Sequence, residues 1–177
     1  MRTTIPQILE EVERTSSREN KIKVLRSYET PILRGILQIN FNPAIKVHLP
    51  EGEPPFKKDK EIPIGYSETN LFAEWRRFYI WLDEKINLSK IRKEQIFIQF
   101  LEGIHWTEAE VVCLAKDRKL QTRFVSVKED LVREAFPDLL PAPKKAAFKD
   151  IKIVDEGESK KAKKKSPSLK KSEVISV

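Results

Sequence analysis

The stretch FNPAIKVHLPEGEPPFKKDKEIPIGY, residues 41 to 66, most limits what this chain can fold into, because it holds five of the eleven prolines and two of the five glycines. Proline has no backbone N–H to give to a helix and clashes with the preceding turn, so no helix continues through this segment. Helical material must lie before it and after it. Inside it, Ile45, Val47 and Leu49 alternate as in a short extended segment packed on helices. A loop this long is uncommon in a compact domain and is often a binding or assembly element. The plainer reading is a surface meander pinned by Phe41, Phe56 and Ile64.

Before the loop, TTIPQILEEVERTS places Thr4 as a cap, Pro6 in the first turn and Ile8, Leu9 and Val12 at helical spacing. SSRENKIKVLRSYET restarts the pattern with Ser17 as cap and Ile22, Leu25 and Tyr28 inward. In TPILRGILQIN, Thr30 caps, Pro31 opens the helix, and Ile32, Leu33, Ile36 and Leu37 form an apolar stripe weakened slightly by Gly35.

After the loop, Leu71, Phe72, Trp75, Phe78, Tyr79 and Leu82 predict one helix with a broad apolar face that forms the centre of the core. Trp81 falls off that stripe, so it either meets another helix or is an exposed aromatic for a partner. Ser89 caps the next helix, Ile96, Phe97, Phe100 and Leu101 face inward, and Gly103 is placed as a left-handed terminator. Thr107 with Glu110, and Ser126 with Glu129, read as capping boxes, the second helix stopping at Pro137. LQTRFVSV between them reads as an extended link.

With 40% hydrophobic and 34% charged residues and few glycines, the composition favours helices with solvated faces over a turn-rich sheet. The expected fold is mainly α: a compact bundle of six or seven short helices over residues 1 to 140, with the 41 to 66 loop across it. Residues 141 to 177 read as a disordered lysine-rich tail, in which FKDIKIVD and the final VISV are islands able to add a strand to a partner. The net charge of +7 is concentrated there: residues 143 to 177 carry eleven lysines and five acids, which leaves residues 1 to 142 at +1. Lys160, Lys161, Lys163, Lys164, Lys165, Lys170 and Lys171 are the candidate contacts to nucleic acid, since a flexible lysine run neutralises phosphates without reading sequence.

No catalytic constellation emerges. His48, His105 and Cys113 lack the spacing of a zinc site, and no cofactor is expected. Cys113 lies inside the apolar run VVCLA, where a thiol is buried and inert. His105, in the turn GIHWT, reads as a helix-cap group. Both glycine-rich phosphate motifs are missing. Glu10, Glu11, Glu108 and Glu110 read as solvated carboxylates at helix starts and exposed faces. The stretch from Lys93 to Leu120 has the outline of a helix-turn-helix, but Gln99 replaces the usual small residue and Glu108 and Glu110 would face phosphate, so a two-helix corner explains it better. The aromatic and basic mixture EWRRFYIWL reads mostly as core, with Arg76 and Arg77 on a solvated or partner-facing edge.

Four segments, IPQILEEVE, SYETPILRGILQINFNPAIKVHLPEGEPPF, FIQFLEGIHWTEAEVVCLAKDRKL and VREAFPDLLP, resemble an uncharacterised family of small proteins of T-even-like tailed phages, cyanophages among them. The likeness runs from about residue 5 to 141. Its most specific parts are P-x-L-R leading to F-N-P and P-E-G-x-P-P, and the helix ending in A-K-D-R-K-L. It implies a phage origin and transfers no activity or catalytic residue.

The expectation is therefore a non-enzymatic phage accessory protein that binds nucleic acid or another acidic surface through its tail. The alternative is an interaction or virion-assembly component that binds a phage or host protein through the loop and through Arg76, Arg77, Trp81 and Phe56. The acidic N-terminus and the want of a long apolar run point to a soluble, intracellular protein, and the phage resemblance then implies the bacterial host cytoplasm or the virion.

Overall fold

The computed structural model describes residues 3 to 142. They belong to one compact unit. The protein is mainly α, and no strand occurs among the described residues. In chain order the helices are α1 (Ile5–Arg14), α2 (Arg18–Ser27), α3 (Pro31–Phe41), α4 (Leu71–Glu74), α5 (Tyr79–Leu82), α6 (Lys90–Gly103), α7 (Trp106–Lys116), α8 (Leu120–Arg123) and α9 (Glu129–Ala135); a 3-10 turn, Trp75–Phe78, joins α4 to α5.

The first three helices follow their periodicity. Ile5, Ile8, Leu9 and Val12 of α1, Ile22 and Leu25 of α2, and Ile32, Leu33, Ile36 and Leu37 of α3 are all buried. Thr30 caps α3 by accepting from the Leu33 N–H at 3.2 Å, and Gln7 reaches back to the Thr4 N–H at 2.9 Å at the start of α1. α9 packs on α2, where Arg26 donates to the carbonyls of Glu134 and Ala135 and so places a cation at the negative end of the α9 dipole.

The centre of the core is α7, not the 71 to 82 segment. α7 packs against α1, α3, α6 and α8, and Ala109, Val111, Val112, Cys113 and Ala115 are buried around its circumference. A helix apolar on all sides belongs inside, and the run VVCLA carries that signal.

The 71 to 82 segment is broken into three turns, and this corrects two expectations. A 3-10 turn advances about 120° per residue against about 100° for an α-helix, so four residues of it add roughly 80° of rotation. Trp81 is thereby carried onto the line of Leu71 and is fully buried, while Tyr79 swings out and is 59% exposed. Trp81 lies among Phe78, Phe97 and Phe100 with ring centroids 5.2 to 5.4 Å away, and its indole N–H donates to the Lys93 carbonyl at 3.0 Å. It is a core residue rather than a partner-binding one.

Helix ends bring further corrections. His105, not Thr107, caps α7: its Nδ1 accepts from the Thr107 N–H at 3.3 Å and pairs with the Thr107 hydroxyl at 2.7 Å. Ser126 is drawn away from α9 by Glu13, which accepts from its N–H and hydroxyl, so no capping box forms with Glu129. Gly103 is the last residue of α6 and has no positive φ; its carbonyl instead accepts from the Thr69 N–H at 3.0 Å. LQTR is the helical turn α8, fixed to α3 by Asn40, whose side-chain Oδ1 accepts from the Leu120 N–H at 3.0 Å.

Candidate functional site: a clamped strap and an arginine-centred face

Residues 42 to 70 cross the surface as a strap. Ile45, Val47, Leu49 and Phe56 pack against the core, and the His48 N–H donates to the Trp81 carbonyl at 2.8 Å. The end of α7 holds the strap. Lys116, its side chain 5% exposed, donates to the carbonyls of Pro50 at 2.7 Å and Gly52 at 3.1 Å and pairs with Asp117. Asp117 accepts from the Gly52 N–H at 3.0 Å, and Arg118 donates to the Ile45 carbonyl at 2.9 Å. Further along, Glu102 accepts from the Lys57 N–H at 3.1 Å and the His105 Nε2 lies 3.1 Å from the Ile62 carbonyl.

The geometry at α7 explains why Lys116, Asp117 and Arg118 stand together. Lys119 N–H bonds to the Leu114 carbonyl at 2.8 Å and Arg118 N–H to the Ala115 carbonyl at 3.1 Å, the pairing that ends a helix through one left-handed residue. Glycine usually fills that position; here it is Arg118, at φ 58°. The left-handed turn aims an arginine side chain back at the strap, which a glycine cannot do. The two segments that carry the sequence resemblance, F-N-P with P-E-G-x-P-P and A-K-D-R-K-L, are thus each other's binding partners.

The second feature is the face around Arg76. Trp75 stacks on Phe78 with ring centroids 4.4 Å apart and lies against Gly35 of α3. Arg76 beside it is exposed, and two grooves meet along Trp75 and Arg76. One, of about 540 Å³, is lined by Tyr28, Glu29, Pro31 and Phe72; the other, of about 510 Å³, by Tyr79, Leu82 and Asp83. In a 3-10 turn residues three apart eclipse each other, so Tyr79 continues the line of Arg76.

The other expected contact residues are otherwise occupied. Arg77 pairs with Glu74 at 2.8 Å. Phe56 is half-buried against the core with Lys58 5.4 Å from its ring centroid, so it anchors the strap and does not stand free for a partner. The seven candidate lysines, Lys160 to Lys171, and both strand-forming islands lie outside the described residues.

Among groups with reactive chemistry, Cys113 is buried, and desolvation pushes its thiol up to about 12. His105 is buried in its cap. Glu108 overturns its reading as a solvated carboxylate: it is 1% exposed, Oε2 accepts from the Leu71 N–H at 3.1 Å, and Oε1 has no hydrogen-bond partner among the described residues. Burial raises its pKa, the Leu71 N–H opposing in part. Sequence periodicity missed it because it lies in the first turn of α7, where carboxylates are ordinarily solvated. Among the described residues no cluster of histidine, cysteine and carboxylate groups suits a metal ion, and no helix is long and apolar enough to cross a membrane.

The fold and these two features define an α-helical protein that carries a strap fastened by side chains that hydrogen-bond to its main chain. The chain belongs to a family of unknown function, DUF6433, whose model matches residues 8–122. The match takes in the strap and its clamp. No match was found among curated proteins.

Proposed function

We propose that this is a non-enzymatic accessory protein of a tailed phage that works by binding, its helical body recognising another phage or host protein. The observation that carries this reading is Arg76, an exposed cation with no ion-pair partner among the described residues, set beside the aromatic side chains of Trp75 and Tyr79. Aromatic and arginine side chains are the commonest anchors of protein interfaces. The matched family region, residues 8–122, contains this face and ends before the tail.

The tail supports a second contribution, because six of the seven net positive charges lie in residues 143 to 177. Its lysines, Lys160, Lys161, Lys163, Lys164, Lys165, Lys170 and Lys171, attract nucleic acid or another acidic surface without sequence preference.

Crosslinking mass spectrometry in cells infected by the source phage tests both parts. A nuclease-resistant protein crosslinked to the body supports the first; nuclease-sensitive material alone removes it. For the second, the full chain with those seven lysines changed to glutamine is compared with the parent for binding to duplex DNA. Salt-sensitive binding by the parent and its loss in the variant are expected, and equal affinity of the two refutes the tail's role.

A further inference from the structure

We infer that the two grooves meeting at Arg76 receive an extended peptide segment of the partner, one carboxylate of that segment pairing with Arg76 and flanking large apolar side chains filling the grooves. This deepens the binding reading above and rests on it.

Arg76 is the first ground. Arg14, Arg18, Arg34, Arg77, Arg123 and Arg133 are each in an ion pair. Arg26 and Arg118 donate to main-chain carbonyls, and Arg92 reaches Gln95. Among the described arginines, Arg76 alone makes none of these contacts. A guanidinium presents a planar fork of donors that matches a carboxylate in two parallel hydrogen bonds.

The flanking surface supplies the apolar part. Trp75 is fixed from below by Gly35 and from the side by Phe78, so it binds without first being ordered. Tyr79 stands out from the protein at 59% exposure, one 3-10 turn beyond Arg76. The grooves on either side, about 540 and 510 Å³, each have room for a large side chain.

Charge selects a peptide over nucleic acid. The charged residues lining the two grooves are Glu29, Arg76 and Asp83, and Glu29 is already paired with Arg34 at 2.6 Å. Among the described residues lining these grooves Arg76 is the one cation, and with Glu29 neutralised by Arg34 it is left to take a single negative charge. A phosphate chain would bring a row of them past Glu29 and Asp83, and strands of nucleic acid are held by several cations at once.

The test uses the full chain, labelled with nitrogen-15, and three probes: an eight-residue peptide with one glutamate between leucine and phenylalanine, the same peptide with glutamine in its place, and a ten-nucleotide oligothymidylate. The glutamate peptide is expected to shift the Trp75 indole and Arg76 side-chain signals and to bind about tenfold more tightly than the glutamine peptide. Arg76→Gln should erase that difference while leaving the rest of the spectrum, and hence the fold, unchanged. Equal binding of the two peptides, shifts confined to other residues, or a response to the oligothymidylate alone overturns the proposal. If the peptides miss this face while crosslinks to a protein partner map elsewhere on the body, the peptide site falls and the binding reading stands. If neither the peptides nor a protein partner engage the body, both fall.

Discussion

Gly35 and Trp75 fit together so closely that a methyl group on Gly35 would fall 2.0 Å from the Trp75 ring. The glycine in the middle of α3, a weakness by helix propensity, is the seat of the indole that supports the Arg76 face. Gly35→Ala is therefore expected to destabilise the protein although alanine is the better helix former. Displacing the ring costs about 1–3 kcal/mol against about 1 kcal/mol gained in propensity. Urea unfolding followed by tryptophan fluorescence checks this; a stabilised variant would disprove the close fit.

Trp81→Ala should lower stability by about 3–5 kcal/mol, the usual cost of emptying a fully buried aromatic site. Trp81→Phe keeps most of the packing but removes the indole donor to the Lys93 carbonyl and leaves part of the indole's volume empty, and should cost about 1–3 kcal/mol. Thermal or denaturant unfolding measures both. A Trp81 variant of unchanged stability would return this residue to the surface.

Arg118→Gly separates the strap from the body energetically. Glycine relieves a left-handed backbone and gains about 1 kcal/mol there, but it removes the donor to the Ile45 carbonyl, so global stability should change by no more than about 1 kcal/mol. Limited proteolysis should then cut within residues 42 to 49 sooner than in the parent. Unchanged cleavage would mean that Arg118 does not hold the strap.

Lys116→Met should be more costly, about 2–4 kcal/mol, because Asp117 and the carbonyls of Pro50 and Gly52 lose a nearly buried cation together. Cleavage near residues 50 to 55 should accompany the loss of stability. Stability equal to the parent's would rule out the clamp.

Glu108 gives the protein a pH dependence of known sign. Its folded-state pKa is raised, so its contribution is fully present below the ordinary glutamate value and is lost as pH rises through the folded-state value. Glu108→Gln keeps an acceptor for the Leu71 N–H and cannot ionise. The variant should show a flatter stability curve from the ordinary carboxylate range upward, read by chemical denaturation at a series of pH values. Parallel curves for the two proteins would show that Glu108 ionises freely in the folded state.

Much of the architecture was legible along the chain because it is local. Apolar spacing placed α1, α2 and α3, Thr30 and Ser89 marked helix starts, and the prolines between residues 41 and 66 excluded helix there. The apolar neighbours of Cys113 announced its burial, and the turn around His105 announced a cap. The site was less legible. Arg76 was marked by its place on a polar edge, but which of two neighbouring arginines is paired depends on how the turn is wound: residues three apart eclipse in a 3-10 turn, which sets Arg77 on Glu74. Trp81 and Tyr79 exchanged roles because periodicity assumes an unbroken α-helix, which the 3-10 turn interrupts.

The sequence by itself determined the helical class, the proline-rich interruption and the concentration of lysine in residues 143 to 177, since each follows from residue type and spacing alone. Only the tertiary structure decided that α7 forms the centre, that Lys116, Asp117 and Arg118 bind the strap, that Glu108 is buried, and that Glu108 Oε1 and Arg76 find no partner among the described residues. Those outcomes depend on which groups reach one another across tens of residues. Helix propensity acts within a turn or two, whereas burial and hydrogen-bond pairing are settled by how the finished helices pack.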